Sequence, residues 1–107
     1  MAVENGKRED RHVRRIREKL TSAYARQHPC AEIDVKRYSS LCVHIRIVDA
    51  DFASQSRTAR DTAIWDILDT LPEDTREEIS LLTLLTPDET KTSVMNQVFE
   101  ERSSFRF

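Results

Sequence analysis

Glycine is nearly absent from this chain, since Gly6 is the one glycine among 107 residues. A backbone that wraps closely around a phosphate, or turns with positive φ, needs glycine because a Cβ atom would clash there. The sequence accordingly contains no phosphate-binding P-loop, dinucleotide fingerprint, EF-hand loop or nucleophile elbow. This single absence excludes several common classes of nucleotide-handling enzyme and hydrolase.

Cysteine is scarce as well, and no stretch is apolar enough for a membrane helix. Cys30 and Cys42 are too few for a disulfide scaffold, so we expect both thiols to be reduced. No apolar run approaches the roughly 18 residues that a membrane span requires, and residues 1–19 are too polar and charged for a signal peptide. We therefore expect a cytoplasmic protein with no membrane partner.

The charges that are present are divided unevenly along the chain. Residues 1–26 hold eight Lys or Arg and four Asp or Glu, whereas residues 61–107 hold four Lys or Arg and eleven Asp or Glu. The net charge of −2 therefore combines a basic beginning with an acidic end. Exposed charge most often marks a solvated helix face. The basic part is nevertheless the one that would attract nucleic acid or an acidic partner.

Hydrophobic periodicity divides the first half of the chain into a helix and two strands. Apolar residues at three- and four-residue steps predict a helix over residues 9–27. These residues are Val13, Ile16, Leu20, Ala23 and Tyr24. Alternation then predicts strands around residues 31–35 and 41–47, joined at Tyr38–Ser40. The short link is compatible with a β-hairpin, although the usual Asn-Gly or Asp-Gly turn is missing.

The second half of the chain predicts two helices, a strand and a last helix. Ser56 or Thr58 can cap a helix whose apolar residues recur at helical spacing. These are Ala63, Ile64, Ile67, Leu68 and Leu71. Pro72 opens a short helix, and the apolar run Ile79–Leu85 predicts a strand that lies inside the sheet or is well covered. The capping box Thr86–Glu89 starts the last helix. Its predicted packing face is Val94, Met95, Val98 and Phe99.

The resulting order is α-β-β-α-α-β with a further helix at the end, which predicts a small α+β fold. The two helices between the second and third strands form a crossover that is long enough for these strands to be parallel. We therefore expect a three-stranded mixed sheet with helices over one face. We assign residues 9–101 to a single domain, residues 1–8 to a disordered segment and residues 102–107 to a frayed tail.

A longer pattern in the middle of the chain carries a family resemblance. An apolar rhythm from Val43 to Val48 ends at Phe52. The pattern continues in register through Ser54, Arg60, Ile64, Trp65 and Leu68. It resumes at Ile79–Thr86 and at Pro87–Glu89. On these residues the chain resembles the BolA family, and the resemblance implies the family's α-β-β-α-α-β fold, which is similar to that of type II K-homology domains.

The resemblance also implies a function, but the chain departs from the family at the residues concerned. The family's glycine is Ser54 here, and the last two residues of its Arg-His-Arg motif are Asp61 and Thr62. Its last histidine is understood to ligate a 2Fe–2S cluster shared with a monothiol glutaredoxin, and this histidine falls on Glu78 or Ile79. Since carboxylate and isoleucine side chains are poor substitutes for imidazole at such iron, we expect no cofactor, and the sequence disfavours a shared cluster.

Cys42 and His44 are the candidate metal ligands of the chain. Cys42 lies near a ligand position that the resemblance implies at the hairpin, and residues i and i+2 of a strand project from the same face. A thiolate and an imidazole together could bind a metal, but two ligands make an incomplete site. The simpler interpretation is an outward cysteine and histidine on a partly covered face.

Two functions remain after these exclusions. The first is a small, non-enzymatic binding or regulatory protein that contacts another protein, with a monothiol glutaredoxin-like partner implied by the resemblance. The alternative is a nucleic-acid-binding transcriptional regulator that uses Arg57, Arg60, Arg15 and the rest of the basic first helix. We do not expect an enzyme, because the histidines are scattered and no nucleophile stands beside an orienting base.

Two further hypotheses concern single elements of the sheet and the middle helix. A three-stranded sheet leaves two edges, and a strand with Cys42, His44 and Arg46 on its outer face could pair at an edge with a partner or a second copy. Arg60 is the charged residue of the BolA motif that this chain keeps. Its role is either to bind a partner or to pair with a nearby acid such as Asp61 or Asp51.

Overall fold

The computed structural model describes the backbone of residues 10–104 and the side chains of residues 10–100. The predicted disordered segment 1–8 and the last three residues of the predicted frayed tail lie outside this range. Within it, the strands are β1 (Glu32–Ser39), β2 (Cys42–Val48) and β3 (Ile79–Leu85), and the α-helices are α1 (Arg11–Leu20), α2 (Arg57–Leu68), α3 (Glu73–Arg76) and α4 (Val94–Ser104). Shorter helical turns are Thr21–Ala25, Ala50–Ser54 and Asp88–Lys91. This order confirms the predicted α+β arrangement.

The sheet has the order β1-β2-β3. β1 and β2 are antiparallel, with Val35 opposite Ile45, and β2 and β3 are parallel, with Ile45 opposite Leu82. The predicted mixed sheet and parallel crossover are thus confirmed. The expectation that β2 is an edge strand is wrong, since β2 is hydrogen-bonded on both sides; β1 and β3 are the edges of the described sheet.

The main core lies between the sheet and the first two long helices. Val43, Ile45 and Ile47 of β2 are fully buried on this face. The helical residues packed in the same cluster include Val13, Ile16 and Leu20 of α1 and Ile64 and Leu68 of α2. Burying one such side chain contributes about 1.5–3 kcal/mol to the free energy of unfolding, so this alternating strand anchors both helices.

Helix α1 is joined to the sheet at its first turn. The Asp10 carboxylate accepts hydrogen bonds from the backbone N–H groups of His12 and Val13, both at 3.1 Å. Arg37 of β1 donates its Nε–H to the same carboxylate at 2.8 Å. This bond from Arg37 is the main reason that the pKa of Asp10 falls from 3.8 to about 2. The helix cap and the strand are therefore held by one carboxylate.

The first helix ends in a π-helical turn rather than as a regular α-helix. Such a turn contains more residues than an α-helical turn and shifts the side chains that follow it. Tyr24 is buried here, whereas Ala23 is exposed. The prediction that Ala23 belongs to the buried stripe is wrong for this reason. In α2, similarly, Ala63 of the predicted apolar set is exposed.

The last helix covers the opposite face of the sheet. Phe99 of α4 is fully buried, with its ring centroid 6.5 Å from that of His44 and 4.6 Å from the Arg46 guanidinium. These two β2 side chains alternate with the core residues and point away from α1 and α2. The prediction of helices over one face is therefore wrong, since α4 packs on the other.

The packing face of α4 also differs from the prediction. Phe99 is buried and Val98 half-buried, but Val94 and Met95 are exposed. The capping box before the helix is confirmed, because the Thr86 N–H donates to Glu89 and the Glu89 N–H donates to the Thr86 hydroxyl at 3.0 and 3.2 Å. It begins the short turn Asp88–Lys91, and α4 starts only at Val94. This offset changes which apolar residues meet the sheet.

We expect Phe99→Ala to lower the free energy of unfolding by about 3–5 kcal/mol, because it opens a cavity between α4 and the sheet. Val94→Ala in the same helix serves as the control, since Val94 is 71% exposed and its change falls within about 0.5 kcal/mol. Urea unfolding followed by circular dichroism measures both values. Equal stabilities of the two variants would contradict the placement of α4.

Candidate functional site

The hairpin end of the sheet combines an exposed apolar side chain with a groove. Leu41, in the turn between β1 and β2, is 73% exposed. A groove of about 330 Å³ on the α4 side of the sheet begins at Cys42, the next residue in the chain. The groove is lined by Tyr38, Cys42, His44, Ser80, Leu81 and Val98. We name Leu41 and these lining residues the hairpin-end surface.

Cys42 and His44 lie on one face of β2, as their spacing predicts, but this face is more covered than expected. His44 is 4% exposed, and its ring stacks on Tyr38 with the centroids 4.8 Å apart and the planes 15° from parallel. Cys42 is half-buried. Within the described part of the chain, these two residues do not form a group of three candidate ligands. Metal binding by this pair remains a prediction.

A polar network supports the hairpin-end surface from the other face of the sheet. Glu78 precedes β3, and its backbone carbonyl accepts a hydrogen bond from the Val43 N–H at 2.7 Å. Its carboxylate accepts a bond from the Arg37 Nη1 at 2.6 Å and lies 3.6 Å from the His12 Nε2. Arg37 also binds the Asp10 carboxylate. These contacts fix the ends of α1, β1 and β3 relative to one another.

Arg60 is a buried residue of α2, only 7% exposed. Its guanidinium donates two bonds to the Glu89 carboxylate, at 2.7 and 3.2 Å, so Glu89 is its acidic partner rather than Asp61 or Asp51. It also donates to the backbone carbonyls of Phe52 and Leu84, both at 3.1 Å. These contacts give Arg60 a structural role that joins α2, β3 and the turn before α4.

The Arg60 contact with Leu84 also bears on self-association. The Leu85 carbonyl accepts a bond from the Asp49 N–H on the β2 side, so the alternating carbonyl of Leu84 points to the outer edge of β3. Arg60 occupies that carbonyl. One hydrogen-bond acceptor on the β3 edge is therefore already paired with a side chain. Edge strands of natural proteins are commonly protected from pairing with another strand in such ways.

The three arginines predicted as binding residues do not form one surface. Arg57 is exposed at the start of α2, beside Leu85 and Met95. Arg15 lies at the other end of β3, where its Nη1 donates to the Thr75 hydroxyl at 3.1 Å and is 3.7 Å from the Asp74 carboxylate. The seven residues of β3 separate the two ends by roughly 20 Å. The structure brings Arg60 near Arg57 and leaves Arg15 apart.

A further cluster, which no local spacing in the sequence predicts, lies at the end of β2 opposite the hairpin. His28 Nδ1 is 2.8 Å from the Asp51 Oδ2 and 3.3 Å from the Asp49 Oδ2. The Tyr24 ring stacks on the His28 ring with the centroids 4.1 Å apart. The sequence signal is the pair of aspartates two residues apart after a strand, and the chain fold supplies the distant histidine.

Comparison with known proteins supports the fold. No protein-family model and no curated protein matches the chain. Among solved structures, it is similar to the BolA domain of SufE1 from Arabidopsis thaliana, with a TM-score of 0.53 and 24% sequence identity. The alignment covers 77% of this chain and 99% of that structure. The chain therefore has a BolA-like fold. Among the described helices, none has the length and apolar character needed to cross a membrane.

The Arg60 and Glu89 pair predicts how stability depends on pH. The hydrogen bond from Arg60 is the main cause that lowers the pKa of Glu89 from 4.5 to about 2. The stabilisation is therefore complete above pH 4.5 and is lost as the pH falls toward about 2. We expect Glu89→Gln to lose less stability than the wild type across this interval. The difference is about 1 kcal/mol at most, because the Glu89 side chain is 44% exposed.

Urea unfolding at several acidic pH values measures this difference. Asp88→Asn removes an exposed carboxylate from the same turn and serves as the matched control. An acid dependence of Glu89→Gln identical to that of the wild type would contradict the role of the pair.

Proposed function

We propose that this chain is a small, non-enzymatic BolA-like protein that acts by binding another protein through its hairpin-end surface. The observation that carries the proposal is the 73% exposure of Leu41, which directly precedes the groove-lining Cys42 in the chain. A large apolar side chain on a turn loses its contact with water when a partner covers it, which contributes about 1.5–3 kcal/mol. The groove that begins at the next residue, Cys42, offers further surface that a partner would cover.

The rigidity of the hairpin end favours this surface as an interface. The turn that carries Leu41 follows β1, and Arg37 of β1 is held by Asp10 and Glu78. The same Arg37 donates to the backbone carbonyl of Ser39 at 3.2 Å. A preorganised surface loses less conformational entropy on binding than a flexible one. The fixed turn therefore supports recognition of a partner.

We propose a monothiol glutaredoxin-like protein as the partner, on the basis of the BolA resemblance and the BolA-like fold. The resemblance also implies a shared 2Fe–2S cluster, and we propose that this chain does not share one. The carboxylate of Glu78 is bound by Arg37, Ile79 has no donor atom, and the His44 imidazole is covered by Tyr38 and Phe99. Iron in such clusters needs thiolate or imidazole ligands. The proposed contact is therefore one between the two proteins themselves.

Three separate environments of the histidines support a non-enzymatic role. His12 contacts Thr75 and Glu78, His28 contacts two aspartates, and His44 is buried under aromatic rings. Catalysis by nucleophile and base needs both groups within hydrogen-bond reach and open to substrate. The apolar anchor at Leu41 fits recognition of a surface better. We further propose that the protein acts in the cytoplasm, consistent with two cysteines that form no disulfide.

Nucleic-acid binding is the alternative function, and exposed arginines on α1 favour it. Arg11, Arg14 and Arg17 are exposed, and arginine suits phosphate contacts. Arg11 and Arg15, however, both lie within 3.7 Å of the Asp74 carboxylate, which neutralises part of this face. Binding of this kind weakens steeply with salt because phosphate neutralisation releases counterions.

We expect Leu41→Asp to weaken binding to a purified monothiol glutaredoxin by about tenfold or more, because it removes the apolar burial of Leu41, about 1.5–3 kcal/mol, and places a carboxylate in the interface. Isothermal titration calorimetry of the iron-free proteins measures the affinity. Val94→Asp is the matched control, because Val94 is 71% exposed and Leu41 73% exposed, yet Val94 lies on α4 outside the hairpin-end surface.

Equal loss in both variants would contradict the assignment of the hairpin-end surface. Absence of binding by the wild-type chain would overturn the glutaredoxin-like partner. Binding of a DNA or RNA duplex that falls steeply with salt and is lost in Arg57→Ala would favour the alternative function instead.

A further inference from the structure

We propose that His28, Asp49 and Asp51 form a binding site for a divalent transition-metal ion of the zinc type. The site lies where β2 ends, at the opposite end of this strand from the hairpin-end surface. It is thus separate from the proposed protein contact, and neither proposal depends on the other.

The three ligand atoms lie close together, and one pair has the spacing of a zinc site. One nitrogen of His28 and one oxygen of each aspartate lie within 4.8 Å of one another. Zinc bonds of about 2.0–2.2 Å in a tetrahedron separate ligand atoms by roughly 3.3–3.6 Å. The Nδ1 of His28 and the Oδ2 of Asp49 are 3.3 Å apart. The 2.8 Å separation from Asp51 needs only a small rotation of an exposed side chain.

The groups around the three ligands hold them in position. The Tyr24 hydroxyl donates to the Oδ2 of Asp49 at 2.5 Å, and the Asp51 backbone N–H donates to the Oδ1 at 3.0 Å. The Tyr24 ring stacks on His28, with an angle of 11° between the planes. Metal ligands are typically oriented by such outer contacts.

Charge and access both favour a cation here. Asp49 is 3% exposed, and the Asp51 carboxylate beside it adds a second negative charge that a divalent cation would offset. Asp51 is 64% exposed and His28 26% exposed, so an ion can enter from solvent and keep water at its remaining position. One nitrogen and two oxygen ligands suit zinc and its neighbours better than magnesium or calcium, which prefer oxygen alone.

A zinc titration in competition with a chromophoric chelator tests the site on the full chain. We expect one zinc ion per chain. Asp51→Asn should weaken binding by about tenfold or more, because changes even to the groups around metal ligands cost about 10- to 100-fold in affinity. Because the Asp51 side chain is exposed, we expect this variant to fold like the wild type, and circular dichroism checks its secondary structure. His28→Gln should weaken binding to a similar extent.

Two control variants separate this site from other zinc ligands. Cys30→Ser removes an exposed thiol two residues from His28, and Asp69→Asn removes an exposed carboxylate elsewhere. Both should bind zinc within about twofold of the wild type. Zinc binding that survives Asp51→Asn and His28→Gln, or that is lost in Cys30→Ser, would overturn the proposal. Absence of zinc binding by the wild type would show that the cluster is only an ion-pair network.

Discussion

The structure depends on the central position of β2 and on the burial of both its faces. On one face, Val43, Ile45 and Ile47 pack against α1 and α2. On the other, His44 and Arg46 lie against Phe99 of α4. Both edges of the strand are hydrogen-bonded to neighbours, and its side chains are buried except for Cys42, Arg46 and Val48, which are half-buried. Contacts with other molecules are thereby left to the ends of the strand, the outer strands and the helices.

Ion pairs at the two ends of the sheet complete this arrangement. At the hairpin end, Arg37 joins Asp10 and Glu78; at the other end, Arg60 joins Glu89 and two backbone carbonyls. Each arginine links elements that are far apart in sequence. Bidentate or multiple contacts of this kind are stronger than single exposed pairs. Glu78, one of the two positions on which the last histidine of the BolA pattern can fall, therefore serves the fold.

Much of the fold could be predicted from periodicity, whereas the candidate sites could not. One buried face of β2 is predicted by the alternation of Val43, Ile45 and Ile47, and one of α1 by the helical spacing of Val13, Ile16 and Leu20. Both predictions are confirmed. Periodicity does not tell which apolar residue of a helix is the more deeply buried. Exposed Val94 and buried Phe99 therefore both fit the helical spacing of α4. Strand order is likewise invisible, which is why the edge assignment of β2 was wrong.

Long-range pairing explains the remaining differences. Arg60 and Glu89 are 29 residues apart, and His28 meets Asp51 across 23 residues. Only the parallel crossover and the hairpin bring such partners together, and no local spacing encodes them. By contrast, the Thr86 and Glu89 capping box is local and was predictable.

The central proposal is that this chain, with its BolA-like fold, binds a partner at the hairpin end without a shared cluster. Chemical-shift mapping of the nitrogen-15-labelled chain, titrated with an iron-free monothiol glutaredoxin, tests this claim most directly. The account predicts perturbed backbone amides at Tyr38, Leu41, Cys42 and Leu81, with those of α1 unchanged. Perturbations centred on the α1 arginines, or binding that requires iron and sulfide, would contradict it.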